Sequence, residues 1–436
     1  MGIPTVGIVS VKFIPVWETR HRAMGLEVLP RVVVEPTLTE IPPQRVREEV
    51  LKLAEDLVES LTKQPGMEVR PTEALQETIR YDGRDFFDAL RNLNRDFLDR
   101  GWGDGFPIVP PTSEAVEEML SGTSRSRDEV IVIMDPGRGV ATVEKIAINC
   151  VMAGCQPEHM PVVIAAMEAM SEPEFALTTV AQSTGPQTPL LVVNGPIRKE
   201  IGINCGRCAL GPGAPSRVNT AIGRSIRLVM MNIGHAYPGV MDMDTIGSPD
   251  KYSMCMGENE EANPWEPLHV ERGFDYDTST VTVFPCGGFL DVADLASVTP
   301  EALLTTFAYT ANAPMTPSWS WLRTEGPDCP PNREPLIVLC PDHARIIADA
   351  EWTKNDIRRF MFHNSRLPLR VLKNPTRRSS VAPGWKWLFD GPEETMVPVV
   401  RDPMNYNIVV VGAELGGGKS AYVWDWGKPV TKAIRR

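Results

Sequence analysis

The first 65 residues alternate between strand-like and helix-like segments, and this alternation constrains the fold more than any other feature of the chain. An apolar run from Thr5 to Val11 precedes a helical stretch from Pro15 to Leu26, a second apolar run from Arg31 to Val34, and a helix from Pro43 to Leu61. A βαβα order of this kind predicts parallel strands, because a crossover is what returns the chain to the same direction. Two strands and two helices bury too little surface to stand alone. The unit must therefore pack on the rest of the chain or on another subunit.

The chain has 436 residues, roughly three times a typical domain of ~150, so a second and larger unit is expected. Turn residues around Gln64-Pro65-Gly66 make Thr62 to Thr72 a linker, and a helix from Arg84 to Asp99 follows it. The organisation expected is thus a partial βαβα unit over 1–65, a linker and helix over 66–100, and a main α/β (α+β) domain over 101–436. The stretch Gly101-Trp-Gly-Asp-Gly-Phe-Pro-Ile-Val-Pro-Pro-Thr112 opens that domain as a shaped loop, since its glycines and prolines forbid regular helix. Within it, helices are expected at Val143–Ala153, Glu158–Met170, Arg217–Ile233, Pro300–Ala311 and His343–Ala350. Strands are expected at Leu190–Val193, Thr280–Phe284, Leu336–Leu339 and Ile408–Val411. In the Arg217 helix the apolar stripe Val218, Ala221, Ile222, Ser225, Val229 and Ile233 leaves Arg224 and Arg227 outside it.

A net charge of −12 argues against a nucleic-acid surface, which needs a dominant basic face. A small molecule or a protein is the expected partner. No basic and apolar leader opens the chain, and no window is apolar for the ~20 residues a membrane span needs. The chain is expected in the cytoplasm, with no membrane partner. There its eight cysteines would stay reduced. Six of them, Cys150, Cys155, Cys205, Cys208, Cys255 and Cys286, fall within one third of the sequence.

The block from Asn149 to Glu271 therefore holds the candidate site. In Gly202-Ile-Asn-Cys205-Gly-Arg-Cys208 two thiols lie within reach of each other beside an arginine, a pattern that serves dithiol redox chemistry or metal ligation. Cys150 and Cys155 end a helix, where a cysteine also serves as a small apolar residue. Cys255 precedes the carboxylates Glu258, Glu260 and Glu261, and the acidic run continues through Glu266, His269 and Glu271. Three sulfurs meeting at Cys205, Cys208 and Cys255 would suit zinc or an iron–sulfur cluster, with Cys150 and Cys155 as further metal ligands. Glu258 and His269 are the expected proton carriers. Arg198, Asn204, Gly211, Gly213 and Glu271 are the expected substrate contacts, the glycines leading through Ser216 to a helix end that either receives an anion or is merely capped by that serine. Asp242 and Asp244 would face one side of a strand and act as a cation site or an acid–base pair.

Two features carry less. Gly412 and Gly416-Gly-Gly-Lys419-Ser420 resemble a phosphate loop, but Ala413 occupies the place of its first glycine and too little chain follows. His343 and His363 read as a helix start and a helix surface with no nucleophile in view.

Longer stretches, Gly2-Ile-Pro-Thr-Val-Gly-Ile-Val through Gly25-Leu and Arg31-Val-Val-Val-Glu-Pro36, resemble part of the UGSC-type (seleno)protein family. Asp104 to Thr112, Thr142 to Asn149, Gly195-Pro-Ile-Arg198 and Asn263 to Gly273 are similar to the domain that accompanies it in long members. The resemblance implies a Rossmann-like amino-terminal unit whose first strand and loop bear a Sec/Cys-Gly-Ser-Cys redox motif. This sequence starts after that motif, so the unit is expected to be incomplete and either completed by a protein subunit or served by thiols elsewhere. The leading functional expectation is a cysteine- or metal-dependent oxidoreductase acting on a small anionic molecule, assembled as an oligomer. A metal-dependent lyase or hydratase, and a non-catalytic subunit of a hetero-oligomer, are the alternatives.

Overall fold

The structure is a computed structural model that describes residues 6–23, 30–34, 43–62, 78–313, 321–324, 333–373, 381–415, 418–425 and 427–435. Mixed helix and strand make an α/β architecture, as the sequence predicts. Strands β1 (Gly7–Ser10) and β2 (Arg31–Val34) pair in parallel across the crossover helix α1 (Ile14–Ala23). The Trp17 ring of α1 lies so close to β1 that a Cβ on Gly7 would sit 1.9 Å from it, so only glycine fits there. The single helix expected from Pro43 to Leu61 is two, α2 (Pro43–Lys52) and α3 (Ala54–Thr62), parted at Leu53. The linker expected over Thr62 to Thr72 lies, beyond Thr62, outside the described residues.

Helix α4 (Phe86–Asp99) starts at Asp85, whose carboxylate accepts the Asp88 N–H at 2.8 Å. The Gly/Pro loop that follows is pinned through Asp104, which takes both arms of Arg224 at 2.7 and 2.9 Å. Helix α5 (Ser113–Leu120) leads to a hairpin, β3 (Val130–Met134) and β4 (Gly139–Thr142), and then to α6 (Val143–Ala153) and α7 (Met160–Ser171). Both helices are nearly all buried, which is why they lack a polar stripe.

Among the described residues the main sheet has seven strands. In spatial order six of them are β11 (Asn407–Val410), β8 (Leu336–Leu339), β12 (Ser420–Asp425), β7 (Thr280–Val292), β5 (Thr188–Asn194) and β6 (Cys255–Gly257), and β13 (Val430–Ala433) also pairs with β7. The outer pairs β11/β8 and β5/β6 are parallel, and β12 and β7 join them by antiparallel ladders. The sheet curls until its two edges meet: Asn259 N–H reaches Val410 O at 2.7 Å, and Gly412 N–H reaches Cys205 O at 2.8 Å. Alternation of side chains then defines an inside and an outside. Leu190, Val192, Met256, Phe284, Val338, Val409 and Val423 fill the interior. Leu191, Val193 and Cys255 face the layer of α6, α7 and the long helix α10 (Arg217–Asn232), while Ile337, Ile408 and Tyr422 face a second layer containing α12 (Pro300–Asn312). Strands buried on both faces read as unbroken apolar runs, and this is how β5, β8 and β11 appear in the sequence. Among the described residues no helix is long and apolar enough to cross a membrane.

Candidate functional site

Helix α6 ends on Gly154, which has a left-handed φ of 82°. Gly154 N–H bonds Val151 O and Cys155 N–H bonds Cys150 O, each at 2.9 Å. This pair of bonds is a Schellman cap, which brings together the side chains of the residue after the glycine and the residue four before it. Here those residues are Cys155 and Cys150, and their thiols are hydrogen-bonded to each other. Ser225 of α10 touches both sulfurs. His159 touches Cys155 and accepts the Gln156 main-chain N–H on Nδ1 at 3.0 Å, which leaves the ring proton on Nε2. The hydrogen bond from Cys150, with help from His159 against the opposing effect of burial, draws the Cys155 thiol well below its ordinary value. The same hydrogen bond, together with burial, pushes Cys150 up. Of the two sulfurs, Cys155 is thus the one whose thiolate form is favoured.

Cys155 lines a cleft of about 410 Å³ with Val109, Met119 and Val151 as its apolar wall and Glu118, Gln156 and Arg217 as its polar one. Arg217 is the first residue of α10. Ser216 stands before it, but its hydroxyl does not cap the helix: it donates to Cys208 O and accepts from Asn204 Nδ2. The capping reading of Ser216 is thus corrected, and the first-turn N–H groups of α10 keep their positive end free of a serine cap.

The three-sulfur centre expected from Cys205, Cys208 and Cys255 does not form. Among the described residues no three Cys, His, Asp or Glu side chains converge as ligands of a metal ion, whether around those thiols or around Cys150 and Cys155. Cys255 lies in the apolar layer with Cys150 and Cys155, where burial first and the nearby Cys155 charge second push its thiol up. Cys205 is one pleat repeat further along, packed over Gly257 and 3.8 Å from the Arg198 guanidinium. Cys208 is exposed, turned outward by a left-handed φ of 56°. The donor set fits neither zinc nor an iron–sulfur cluster.

The expected proton carriers and anchor do come together, at the carboxyl ends of β5 and β6. Glu258 is fully buried and accepts from Asn194 Nδ2 at 2.6 Å, Asn263 Nδ2 at 2.8 Å and Leu268 N–H at 2.9 Å. Burial raises its carboxyl pKa, with Lys354 opposing. Arg198 donates to Glu258 O at 2.7 Å and pairs with Glu260 at 2.7 Å and Glu261 at 3.2 Å. Its guanidinium is committed to this chain, which corrects its reading as a substrate anchor. His269, also fully buried, holds Tyr276 O at 3.1 Å and lies 3.9 Å from Glu260. Asn204 braces its own loop through Asn219, Arg207 O and Ser216, and Gly211 and Gly213 take φ values of 98° and 109° in the turns of that loop. Glu271 is held by Lys354 at 3.1 Å and by Arg358, which together outweigh burial and lower its pKa. Asp242 and Asp244 lie outside any strand, and both are neutralised by Lys251, at 2.8 and 2.9 Å. This network locks loops to the sheet.

Two members of the thiol cluster escaped the sequence reading. His159 follows Cys155 by four residues, and Ser225 is the one polar side chain on the apolar stripe of its helix. That hydroxyl among aliphatics was the available signal. His343, read as partnerless, in fact touches Cys340. No family model, curated protein or solved structure matches the chain.

Proposed function

We propose that the chain is a cysteine-dependent oxidoreductase acting on a small anionic molecule, with Cys155 as the attacking thiol and Cys150 as its resolving partner. One observation carries this: Cys155 lines the cleft while its sulfur is hydrogen-bonded to Cys150 and His159. The thiolate is the nucleophilic form of cysteine, and a neighbouring thiol completes an exchange through a disulfide. Closing that disulfide passes two electrons and the Cys150 proton to the substrate, which takes any further proton from solvent. Arg217 and the amino end of α10 favour an anion in the cleft. The lyase and hydratase readings depend on a metal that the donor set does not fit.

The parallel crossover over residues 7–34 supports reading the amino-terminal segment as Rossmann-like and the chain as a long UGSC-type member of the cytoplasm, where dithiols are kept reduced. Exposed Ile8 and Val33 on the β1/β2 pair support a second reading, in which a protein subunit extends this small sheet within an oligomer.

Alkylation mapped residue by residue tests the proposal. The ratio of iodoacetate to iodoacetamide rates is expected to be higher at Cys155 than at exposed Cys208, and Arg217→Gln is expected to abolish the difference. Mild oxidation is expected to link Cys150 to Cys155. Equal ratios at both thiols, or oxidation that leaves Cys150 and Cys155 unlinked, would overturn it.

A further inference from the structure

A second thiol with an imidazole partner stands apart from the cleft, at the carboxyl end of β8. Cys340 follows that strand and precedes the nine-residue helix α13 (Pro341–Asp349), so its sulfur sits at the positive end of a helix. His343 lies in the first turn of the same helix. Its ring contacts the Cys340 thiol, its Nε2 meets Asp294 O at 2.8 Å, and its Nδ1 meets Ser420 Oγ at 2.6 Å. Ser420 Oγ also accepts the Cys340 N–H at 2.9 Å. The carbonyl of Asp294 takes the Nε2 proton, which leaves Nδ1 to exchange a proton with the thiol and the hydroxyl.

Gly418 and Ser420, from the stretch that imitates a phosphate loop, belong to this cluster. Gly418 passes so close over the thiol that a Cβ there would lie 2.7 Å from Cys340 Sγ and 3.1 Å from Asp342 Oδ2. Leu415 N–H bonds Asp342 at 2.9 Å. Ser420, in the place of the phosphate loop's magnesium-binding serine, begins a central strand and serves His343. The charged groups around the pair are Asp342, bound by Arg345 at 3.3 Å, and the Asp294 carboxylate, held by Ser297 and Thr306. Burial raises the Cys340 thiol pKa and lowers that of His343, but their mutual contact reverses both shifts.

We propose that Cys340, paired with His343 beneath Gly418, is a peroxide-reactive thiol. The ligand class follows from space and charge: Cys340 is only 4% exposed under backbone, so a water-sized uncharged electrophile is admitted in preference to a bulky disulfide. In the step, the sulfur attacks one oxygen of hydrogen peroxide and the O–O bond breaks. The departing hydroxide takes a proton from His343 and leaves as water. Sulfur loses two electrons and becomes the sulfenic acid, and the peroxide is reduced.

The test uses the full-length reduced protein, hydrogen peroxide and dimedone, with labelled peptides quantified by mass spectrometry. At pH 7 Cys340 is expected to label about tenfold faster than the exposed Cys208, and His343→Gln is expected to remove that advantage. Should that variant misfold, the pH profile of the unaltered protein decides. The Cys340 rate is expected to fall less steeply between pH 8 and 6 than that of an ordinary thiol with a pKa near ~8.5, which slows about tenfold per pH unit there. Labelling of Cys340 no faster than Cys208, or a tenfold fall per unit, overturns the proposal.

Discussion

Arg198 shows how residue chemistry and location combine to decide a role. An arginine after a buried strand often anchors a carboxylate ligand, yet here the carboxylates come from the chain itself, Glu260 and Glu261. With both Arg198 and Glu260 side chains only 3% exposed, breaking the pair strands a buried charge. Arg198→Ala is therefore expected to lower stability by about 3–5 kcal/mol, and adding Glu260→Gln is expected to recover part of that loss, both read from urea unfolding. A full-strength fold in Arg198→Ala would show that the network contributes little. Gly418 is a steric case. Gly418→Ala places a methyl against the Cys340 sulfur and is expected to destabilise by about 1–3 kcal/mol, seen as a lower melting temperature.

At the level of elements, the end of α6 does two jobs with one cap. Its Schellman bonds terminate the helix and, by the same geometry, press Cys155 against Cys150. An alanine at 154 would meet only Val109, at an ordinary 4.0 Å, but would have to hold φ near 82°. Gly154→Ala is thus expected to cost about 1 kcal/mol in thermal unfolding, and more tellingly to slow Cys155 alkylation at neutral pH as the two sulfurs part. Unchanged Cys155 reactivity would mean the cap is not what lowers its pKa. The helices α10 and α13 contribute differently, each offering a positive amino end, one to the cleft and the other to Cys340.

For the whole molecule the decisive event is the curling of the main sheet, which buries charges that an open sheet would leave wet. Asp425, at the end of β12, is the clearest example: burial, partly offset by Arg333, raises its carboxyl pKa to about 7. A raised folded-state pKa means its stabilising contribution is fully present below the ordinary carboxyl range and is lost as pH rises through about 7. Asp425→Asn is expected to unfold at higher urea than the parent at pH 8, with the gap shrinking toward pH 5; a constant gap would refute this. The same curl explains what could be read in advance. Strands β5, β8 and β11 and helices α6, α10 and α12 were legible because double-sided burial and the 3.6-residue stripe are local patterns. The second half of β7, with Pro285 and Gly287-Gly288 inside it, and the short β6 were not, since register with neighbours and not their own residues makes them strands. The sequence determined the α/β class and marked cysteines as the candidate reactive residues. Which cysteines meet was left to tertiary structure, because a thiol's partner is set by a helix cap, a neighbouring helix and a passing glycine, contacts that spacing along the chain does not encode.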